Sequence, residues 1–509
     1  MKYVTPEVIK ETLQEAADLV CPTMGPKGRL AVISDEFSRP YLTDDGVTVA
    51  KELLNLDDPF KKMIAISVVE ASSNTEKSAF DGTTLTVLLL NEFYKAGLKL
   101  IDDGMHPQTA ADQIKSATEV TVKNLQHQCK KITPDTSAKL IKDVSYITTK
   151  IPEIGELVYK AYTHAGDAMN VVIEHDRKIQ TSEVEHVDGM VVNSGYFSPE
   201  FEKIAGSDGI WKRDNAKLFL LSEGILTVNG LKGLFASIEN PKQPLVFCFD
   251  RNFDPEMLKS LIENLSANKF DFMLMMINDS RAEEVFLDIA ARTGGQIQSA
   301  TYNTTDYKYE YAGTADHIEI EIDKTTIIAK GNPEEIKRRL DSYKKELKEN
   351  EFTTGYVRAD VLNRRMANLG AGVTKIKIAA QSITEYRTIR FKLDDAIGAV
   401  RCALRDGVLL GSGKALYIAS KEVPLLKNAL RAPMKTILGN AGYDMPDDNY
   451  LKNENAGIDA RAGIHVDLYR AGIIDSYTSI ETAVKNAASI ACSYLRAYIL
   501  INQNVKEGD

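Results

Sequence analysis

A turn that runs directly into a largely apolar helix is the feature that most constrains this chain. Asp81-Gly82-Thr83-Thr84 is followed without a break by the run 85–90, which places the turn at the start of a helix. The first N–H groups of a helix lack an intrahelical partner, and with the helix dipole they favour an anion there. Because Asp81 would repel a phosphate, a bound nucleotide would require a bridging divalent cation. The alternative is an ordinary turn with an N-cap, which the motif alone favours.

Two more Gly-containing turns lie within the first ninety residues. The segment Thr23-Met24-Gly25-Pro26-Lys27-Gly28 has small residues that let backbone amides approach a ligand. The segment 42–49 places Asp45 in a turn that the pattern predicts between two extended segments. Three such turns could surround one phosphate chain. The sequence contains neither GxxxxGK[ST] nor a GxGxxG after a strand, which argues against a P-loop kinase or a Rossmann dehydrogenase.

These turns carry a family resemblance. TMGPKGR, LTDDGVTVAKE and DGTT, followed by KAGLKLIDDGMHP, resemble the amino-terminal nucleotide-binding half of group I chaperonins, the GroEL family. Further motifs follow in the order of that family: GYFSPEF, IAARTGG, DKTTII, DDAI with RDGVLLGSGKAL, and AGIID. Together they cover essentially the whole chain. The divergence at other family positions suits a virus-encoded or otherwise specialised member, and an accessory paralogue of a bacterial chaperonin would look similar.

The resemblance implies a multidomain α+β fold of nested domains. A mainly helical equatorial ATPase domain would comprise 1–127 and 406–509, a small intermediate domain 128–187 and 373–405, and an α/β apical client-binding domain 188–372. The residue patterns agree, because apolar β runs alternate with helices in the middle of the chain. The residue patterns predict helices at about 84–103, 151–165, 383–405 and 480–500. They predict strands at 245–249 and 272–276.

Composition narrows the class of protein. A chain of 509 residues suggests about three domains. The net charge of −10 argues against a nucleic-acid partner. No run of eighteen apolar residues and no signal-peptide pattern occurs, so we expect no membrane partner. The five cysteines are scattered without a CxxC motif, which indicates reduced thiols in a cytosolic protein. The family resemblance implies that this is the cytoplasm of a bacterium or of a virus-infected host cell.

The resemblance also implies an ATP site with Mg²⁺, and K⁺ as a further candidate ion. Asp81 corresponds to the magnesium ligand, and Asp45 and Asp395 to the two carboxylates that position the attacking water. Asp395 lies on an intermediate-domain helix and would reach the γ-phosphate only when that domain closes; a solvated helix start is the alternative. Asp475 corresponds to a ribose acceptor, with a buried or capping carboxylate as the alternative. The other nucleotide-binding residues implied are Thr23, Met24, Gly25, Pro26, Gly82, Thr83, Thr84, Gly411, Ser412, Asp459, Ala460 and Ile473.

An apolar helical stripe in the middle of the chain indicates a surface for clients. It is formed by residues 231, 234, 235 and 238, and a second helix is predicted to begin at Asp254 and Pro255. Packing of both stripes on their own sheet is the alternative. The resemblance assigns client binding to Tyr196, Phe201, Leu231, Leu234, Phe235, Leu258 and Ile262. Charged Glu200, Lys232 and Glu263 replace apolar groove residues, so we expect the client range or the dependence on a cochaperonin to differ.

Three departures from the family lie at the nucleotide motifs. Phe80 replaces a glycine before Asp81, Leu85 replaces a threonine after Thr84, and Asp44 replaces a lysine beside Asp45. Leu85 removes one hydroxyl from the phosphate site. We expect nucleotide binding to survive these changes and the rate of hydrolysis to differ.

The function implied is an ATP-driven folding chamber. It would be a homo-oligomeric ring of seven subunits, single or double, that binds unfolded client proteins and encapsulates them, with or without a cochaperonin. Asp102 and Asp103 replace small residues in a region that the family uses for contact between rings, so pairing of rings is expected to be weakened or nucleotide-dependent. The alternative is a non-encapsulating holdase or structural ring with impaired hydrolysis.

Overall fold

The chain divides into two units in the computed structural model. The first comprises Met1–Tyr159 and Arg387–Asp509, and the second, Lys160–Tyr386, is inserted between these two segments. We call them the helical unit and the α/β unit. The residues that the structure describes are 6–34, 41–43, 45–132, 134–165, 171–175, 179–205, 209–222, 238, 240, 242–250, 262–263, 266–267, 270–279, 281–299, 308–349, 361–362, 365–366, 368–370 and 372–497.

The regular elements are numbered here in chain order over the described residues. The α-helices are α1 (Pro6–Val20), α2 (Gly46–Lys51), α3 (Pro59–Ala79), α4 (Thr83–Asp102), α5 (Pro107–Gln128), α6 (Pro134–Thr149), α7 (Pro152–Ala165), α8 (Ala282–Thr293), α9 (Pro333–Glu349), α10 (Ile383–Asp406), α11 (Lys414–Ala419), α12 (Lys427–Asn440) and α13 (Tyr477–Arg496). The strands are β1 (Ala31–Ile33), β2 (Tyr41–Thr43), β3 (Val171–His175), β4 (Glu183–Val187), β5 (Gly189–Val192), β6 (Trp211–Ser222), β7 (Leu245–Phe249), β8 (Phe272–Met276), β9 (Ile297–Ser299), β10 (Gly313–Ile320), β11 (Thr325–Ile328), β12 (Val373–Ile378), β13 (Val408–Leu410), β14 (Ala456–Asp459), β15 (Ile464–Asp467) and β16 (Ile474–Ser476).

The core of the helical unit forms around α4 and α13. The largely apolar sequence of α4 buries every side chain from Leu85 to Leu90, so this helix lies inside the unit rather than on its surface. Small residues of α13 at four-residue spacing, Ala483, Ala487 and Ala491, are fully buried and allow neighbouring helices to approach closely. Helix α4 therefore starts at a point that the surrounding helices hold in place.

The α/β unit is built on a mixed sheet in the order β5-β11-β10-β6-β7-β8, with β9 also paired to β6. Strands β6, β7, β8 and β9 run parallel, whereas β10 pairs antiparallel with β6 and with β11. All five side chains of β7 are buried, which explains its continuous apolar sequence, because strands covered on both faces show no alternation. A second sheet, in the order β3-β12-β4, belongs to the same unit.

Most of the predicted segments agree with these elements. The strands predicted at 245–249 and 272–276 are β7 and β8, and the predicted helices correspond to α4, α7, α10 and α13 within four residues at each end. The extended segment predicted after Asp45 is wrong, since 46–51 form helix α2. The Asp45 carboxylate caps that helix, which favours a helix over the β propensity of its valines. The division into three domains stays a prediction, since the two units do not test it.

Two predictions from composition can be compared with the structure. All five cysteines are free thiols, and Cys248, Cys402 and Cys492 are buried. Burial raises the pKa of the Cys248 thiol to about 12, so this side chain acts as a small apolar group in the core. Among the described helices, none combines the length and the apolar character needed to cross a membrane.

Candidate functional site

A cleft of about 520 Å³ opens in the helical unit. All of its lining residues belong to that unit. Every residue predicted for the nucleotide, the metal and the water lines it except Gly411, whose N–H donates to the carbonyl of the lining residue Ile473 at 2.9 Å. The predicted residues that line the cleft are Thr23, Met24, Gly25, Pro26, Asp45, Asp81, Gly82, Thr83, Thr84, Asp395, Ser412, Asp459, Ala460, Ile473 and Asp475.

The start of α4 lies in the wall of the cleft. Its N-cap is Gly82, in the left-handed region with φ 88°, and this residue has no side chain that could cap the helix. The Asp81 carboxylate instead accepts a hydrogen bond from the Gly82 N–H at 2.7 Å. The ordinary side-chain N-cap, which was the alternative at this turn, is therefore not the arrangement found. The amide end of the helix faces the cleft, as an anion site requires.

The three Gly-containing turns converge on this helix start. The Thr23 and Thr84 hydroxyl oxygens lie 3.4 Å apart. On the other side, Gly46 packs so closely on Thr83 and Thr84 that a Cβ at position 46 would overlap their hydroxyl oxygens. The Asn440 amide of α12 donates to the carbonyls of Cys21 and Met24 at 2.8 and 3.0 Å, which holds the first turn in position.

Asp45 has a fixed orientation at the edge of the cleft. Its carboxylate accepts hydrogen bonds from the N–H groups of Val47 at 3.3 Å and Thr48 at 2.9 Å, and from the Thr48 hydroxyl. These bonds leave lone pairs on a side chain that lines the cleft. Asp45 can therefore cap α2 and still accept a hydrogen bond from a ligand or a water molecule.

The structure separates the two adjacent aspartates of α10. The Asp394 side chain is 52% exposed and lies 3.7 Å from Arg390, whereas Asp395 lines the cleft. Desolvation in the cleft, together with the carboxylates of Asp81, Asp45, Glu76 and Asp394, raises the pKa of Asp395 to about 8. The solvated helix start, which was the alternative for Asp395, is not what the structure shows. Its carboxyl group reaches the cleft in this conformation.

The opposite end of the cleft is formed by a strand pair and a hairpin. Strand β13 pairs with β16 and places Leu409 beside Asp475, and the turn after β13 holds Ser412 in the left-handed region with φ 55°. Burial, together with the nearby Asp81 carboxylate, raises the pKa of Asp475 to about 7. In the hairpin between β14 and β15, the Asp459 carboxylate accepts from the Arg461 N–H at 2.8 Å.

Sequence reasoning missed one wall of the cleft. The last turns of α6 contribute Asp143, Tyr146 and Thr148, and Lys150 follows them with φ 62°. Burial raises the pKa of Asp143, and the positive charge of Lys150 counteracts the effect of burial on the Asp81 pKa. The polar stretch before Ile151-Pro152 was the available signal, because the residue before a proline tends to leave the helical region. That signal indicates a helix end and nothing about a ligand.

The donor set at Asp81 fits a magnesium ion bound together with phosphates. Burial raises the pKa of the Asp81 carboxyl group, so a cation there would stabilise its ionised form. Among the described residues, no three His, Cys, Asp or Glu side chains are grouped as metal ligands. Mg²⁺ in nucleotide sites is usually held by one or two carboxylates, by phosphate oxygens and by water.

The structure places only some of the predicted client-binding residues. Tyr196 and Phe201 are 7% and 3% exposed and belong to the core of the α/β unit, and the Tyr196 hydroxyl donates to the Gly209 carbonyl at 3.3 Å. This burial argues against direct contact between these two rings and a client. Ile262 is half-buried against the same core. Leu231, Leu234, Phe235 and Leu258 lie outside the described residues.

The comparison with protein families now assigns the chain to a family. The family model described as the TCP-1/cpn60 chaperonin family matches residues 16–228 and 257–504. The chain belongs to this chaperonin family. The match covers both units, so the resemblance noted in the sequence is confirmed at the level of the family. Membership of the family makes a chaperone the general function of the protein.

Solved structures of another chaperonin have the same fold. The chaperonin gp146 from bacteriophage EL 2 (Pseudomonas aeruginosa), in crystal form II in the presence of ATP-BeFx, matches with a TM-score of 0.74 and 18% identity over 98% of each chain. Crystal form I of the same protein, also in the presence of ATP-BeFx, matches with a TM-score of 0.67 and 18% identity over 98% of each chain. The predicted multidomain α+β chaperonin fold is thereby confirmed.

The raised pKa of Asp475 predicts how the stability of the nucleotide-free chaperonin depends on pH. The folded state binds the proton more tightly than the unfolded state, because the folded pKa is about 7 and the ordinary value is 3.8. The protonated carboxyl group therefore contributes stability that is fully present below about pH 4 and is lost as the pH rises through about 7. Asp475→Asn is neutral at every pH, so its melting temperature relative to wild type should rise by at least about 2 °C between pH 5.5 and 8.5.

Differential scanning calorimetry in EDTA without nucleotide measures this change. Asp467→Asn is the matched control, because the pKa of Asp467 is lowered and its carboxylate stays ionised throughout that pH range. A constant difference between Asp475→Asn and wild type would contradict the prediction.

Proposed function

We propose that this chaperonin binds and hydrolyses ATP in the cleft and uses the cycle to bind and release non-native proteins, promoting their folding. The observation that carries the proposal is the convergence of the α4 start with Asp45, Asp81 and Asp395 on one cleft. Its volume of about 520 Å³ falls in the range of small-molecule sites. A structural protein would have no need of a helix amide end and three carboxylates in one cavity.

The phosphates of ATP would lie at the start of α4. Backbone amides and the hydroxyls of Thr83 and Thr84 supply hydrogen-bond donors at the helix start. The Thr23 hydroxyl donates to the Val20 carbonyl at 2.8 Å and lies 3.4 Å from the Thr84 hydroxyl oxygen, so it forms part of the wall beside the phosphates. Asp81 would hold Mg²⁺, which supplies positive charge between its carboxylate and the phosphate oxygens. A role for K⁺ stays a prediction. The ribose and the base would lie at the other end, with Asp475 as the hydroxyl acceptor and Ile473 and Ala460 as packing residues.

Asp45 and Asp395 would position the water that attacks the γ-phosphate. Asp45 is oriented by its three hydrogen bonds within α2, so little reorganisation is needed when water binds. The raised pKa of Asp395, about 8, makes its carboxylate a stronger base than an ordinary aspartate. Positioning by both groups would contribute most, because phosphoryl transfer relies on alignment and charge stabilisation.

Client proteins would bind the α/β unit. Ile262 and the residues at 231, 234, 235 and 258 remain candidates for an apolar groove, and a cochaperonin remains a possible second partner. The burial of Tyr196 and Phe201 reduces the apolar surface available to clients. The charged residues Glu200, Lys232 and Glu263, which replace apolar groove residues, are the reason to keep the holdase as the second candidate function. A holdase would bind clients in the same groove without nucleotide-driven encapsulation.

Two measurements on the wild-type protein separate the candidates. The first is the steady-state hydrolysis of Mg-ATP. The second is the refolding yield of a chemically denatured enzyme, which is followed with ATP, with ADP and without nucleotide. We expect hydrolysis, and a refolding yield that rises with ATP alone. Hydrolysis without any gain in refolding would favour the holdase, and an absence of hydrolysis would contradict the proposal.

We further propose a ring of seven subunits whose pairing into double rings is weak. Asp102 and Asp103 are exposed at the end of α4, where like charges brought together across an interface are unfavourable. Sedimentation velocity with and without ATP should therefore detect single rings in at least one nucleotide state. The double variant Asp102→Ala/Asp103→Ala should shift the population towards double rings. A stable double ring of the wild type in every state would contradict this prediction.

A further inference from the structure

Phe80, which ends α3 and precedes Asp81, has a strained backbone. Its φ and ψ are 59° and 9°, and its N–H donates to the Glu76 carbonyl at 2.8 Å. A residue with a Cβ is disfavoured in this left-handed region, whereas glycine adopts it freely. Such strain persists when the side chain makes contacts that offset it. The position of the Phe80 ring is therefore informative.

The Phe80 ring lies against Gly398 of α10. A Cβ at position 398 would overlap Cγ, Cδ1 and Cδ2 of the ring, so the ring occupies the space that any side chain at 398 would need. One turn further along α10, the Cys402 sulfur lies 3.8 Å from the Ser78 carbonyl oxygen. The carboxyl-terminal end of α3 therefore contacts two successive turns of α10, both within the helical unit.

This contact joins two parts of the proposed ATP site. Asp395 precedes Gly398 by three residues, so both lie on one face of α10. Phe80 and Asp395 both line the cleft, and Phe80 is bonded directly to Asp81. Movement of the ring would displace the face of α10 that carries Asp395, while the start of α4 would keep its own contacts.

We propose that Phe80 is a positioning residue for ATP hydrolysis, and that its ring against Gly398 seats α10 so that Asp395 faces the phosphate end of the cleft. The proposal rests on the ATPase function proposed above. It assigns a role to a side chain that stands where the resembled family has glycine. A ring used in this way explains why the chain retains a strained backbone beside its metal-binding turn.

The first test is Phe80→Gly, which removes the ring and also relieves the backbone. We expect kcat for ATP hydrolysis to fall about 10-fold and the Kd for a non-hydrolysable ATP analogue to stay within about threefold. Phe80→Tyr, which keeps an aromatic ring at this position, should keep most of the wild-type kcat. Equal losses in kcat and in affinity would overturn the proposal, since Phe80 would then shape the binding pocket.

The second test is the reciprocal change, Gly398→Ala. Its methyl group must displace the ring, although alanine is intrinsically better in a helix than glycine. We expect a comparable fall in kcat. In Phe80→Gly/Gly398→Ala the methyl group has the vacated space, so kcat should exceed that of either single variant. The melting temperature of each variant, measured alongside, separates this pattern from a general loss of stability, and additive losses of kcat in the double variant would overturn the proposal.

Two control variants make the same backbone changes elsewhere. Asn215→Gly relieves a left-handed residue of the α/β unit, with φ 52°, and Gly439→Ala adds a methyl group that meets nothing within 4 Å. Both should keep wild-type kcat. If the wild type fails to hydrolyse ATP, the proposed function itself is wrong. If hydrolysis requires Asp395 and is unchanged in Phe80→Gly, the positioning role alone is wrong.

Discussion

Asp395→Asn is expected to lower kcat for ATP hydrolysis by about 100-fold or more, with ATP binding unchanged or tighter. The substitution keeps the shape of the side chain and removes the carboxylate that would orient the attacking water. ATP binding should not suffer, because the Asp395 carboxylate would repel the phosphates, as would the neighbouring carboxylates that raise its pKa. Steady-state hydrolysis gives kcat, and isothermal titration calorimetry with a non-hydrolysable analogue gives Kd.

Asp394→Asn provides the matched control for this prediction. It makes the same chemical change one residue earlier, on a side chain that is 52% exposed and close to Arg390. We expect its turnover to stay within about twofold of wild type, as for most exposed positions away from a site. Equal effects of the two substitutions would mean that the orientation of α10 in the structure does not govern hydrolysis.

Gly46→Ala is expected to weaken ATP binding by about 10-fold or more. Its methyl group would overlap the hydroxyl oxygens of Thr83 and Thr84 and lie 3.0 Å from the Thr84 nitrogen, so the helix start or the Asp45 turn must move. Overpacking of this kind typically costs about 1–3 kcal/mol, and about 1.4 kcal/mol corresponds to a factor of ten in affinity. The affinity can be measured by titration calorimetry with ATP analogue.

Gly439→Ala is the control for Gly46→Ala, because a Cβ at this helical position has nothing within 4 Å. The melting temperature of both variants, measured alongside, distinguishes a local displacement from a loss of the fold. A folded Gly46→Ala variant with wild-type affinity would show that the three turns do not jointly form the phosphate site.

The local elements were predictable from the sequence because their causes are local. Gly82 and the apolar run after it indicated the start of α4, and the continuous apolar sequences of β7 and β8 indicated strands, which the structure then shows to be buried. Helix α2 was missed for a related reason. Its valines favour a strand, and only the hydrogen bonds to Asp45 show that the cap outweighs this preference.

The sequence by itself, through its ordered motifs, determined the family and the chaperonin fold, and it predicted most of the residues that the structure brings together in the cleft. The tertiary structure alone decided which adjacent aspartate faces the cleft, that α6 forms a further wall, and that Phe80 meets Gly398. The physical reason is that a motif reports the conformation of a short segment. The contacts of a side chain depend on how distant segments pack, and residues 80 and 398 are brought together only by the packing of α10 on the end of α3.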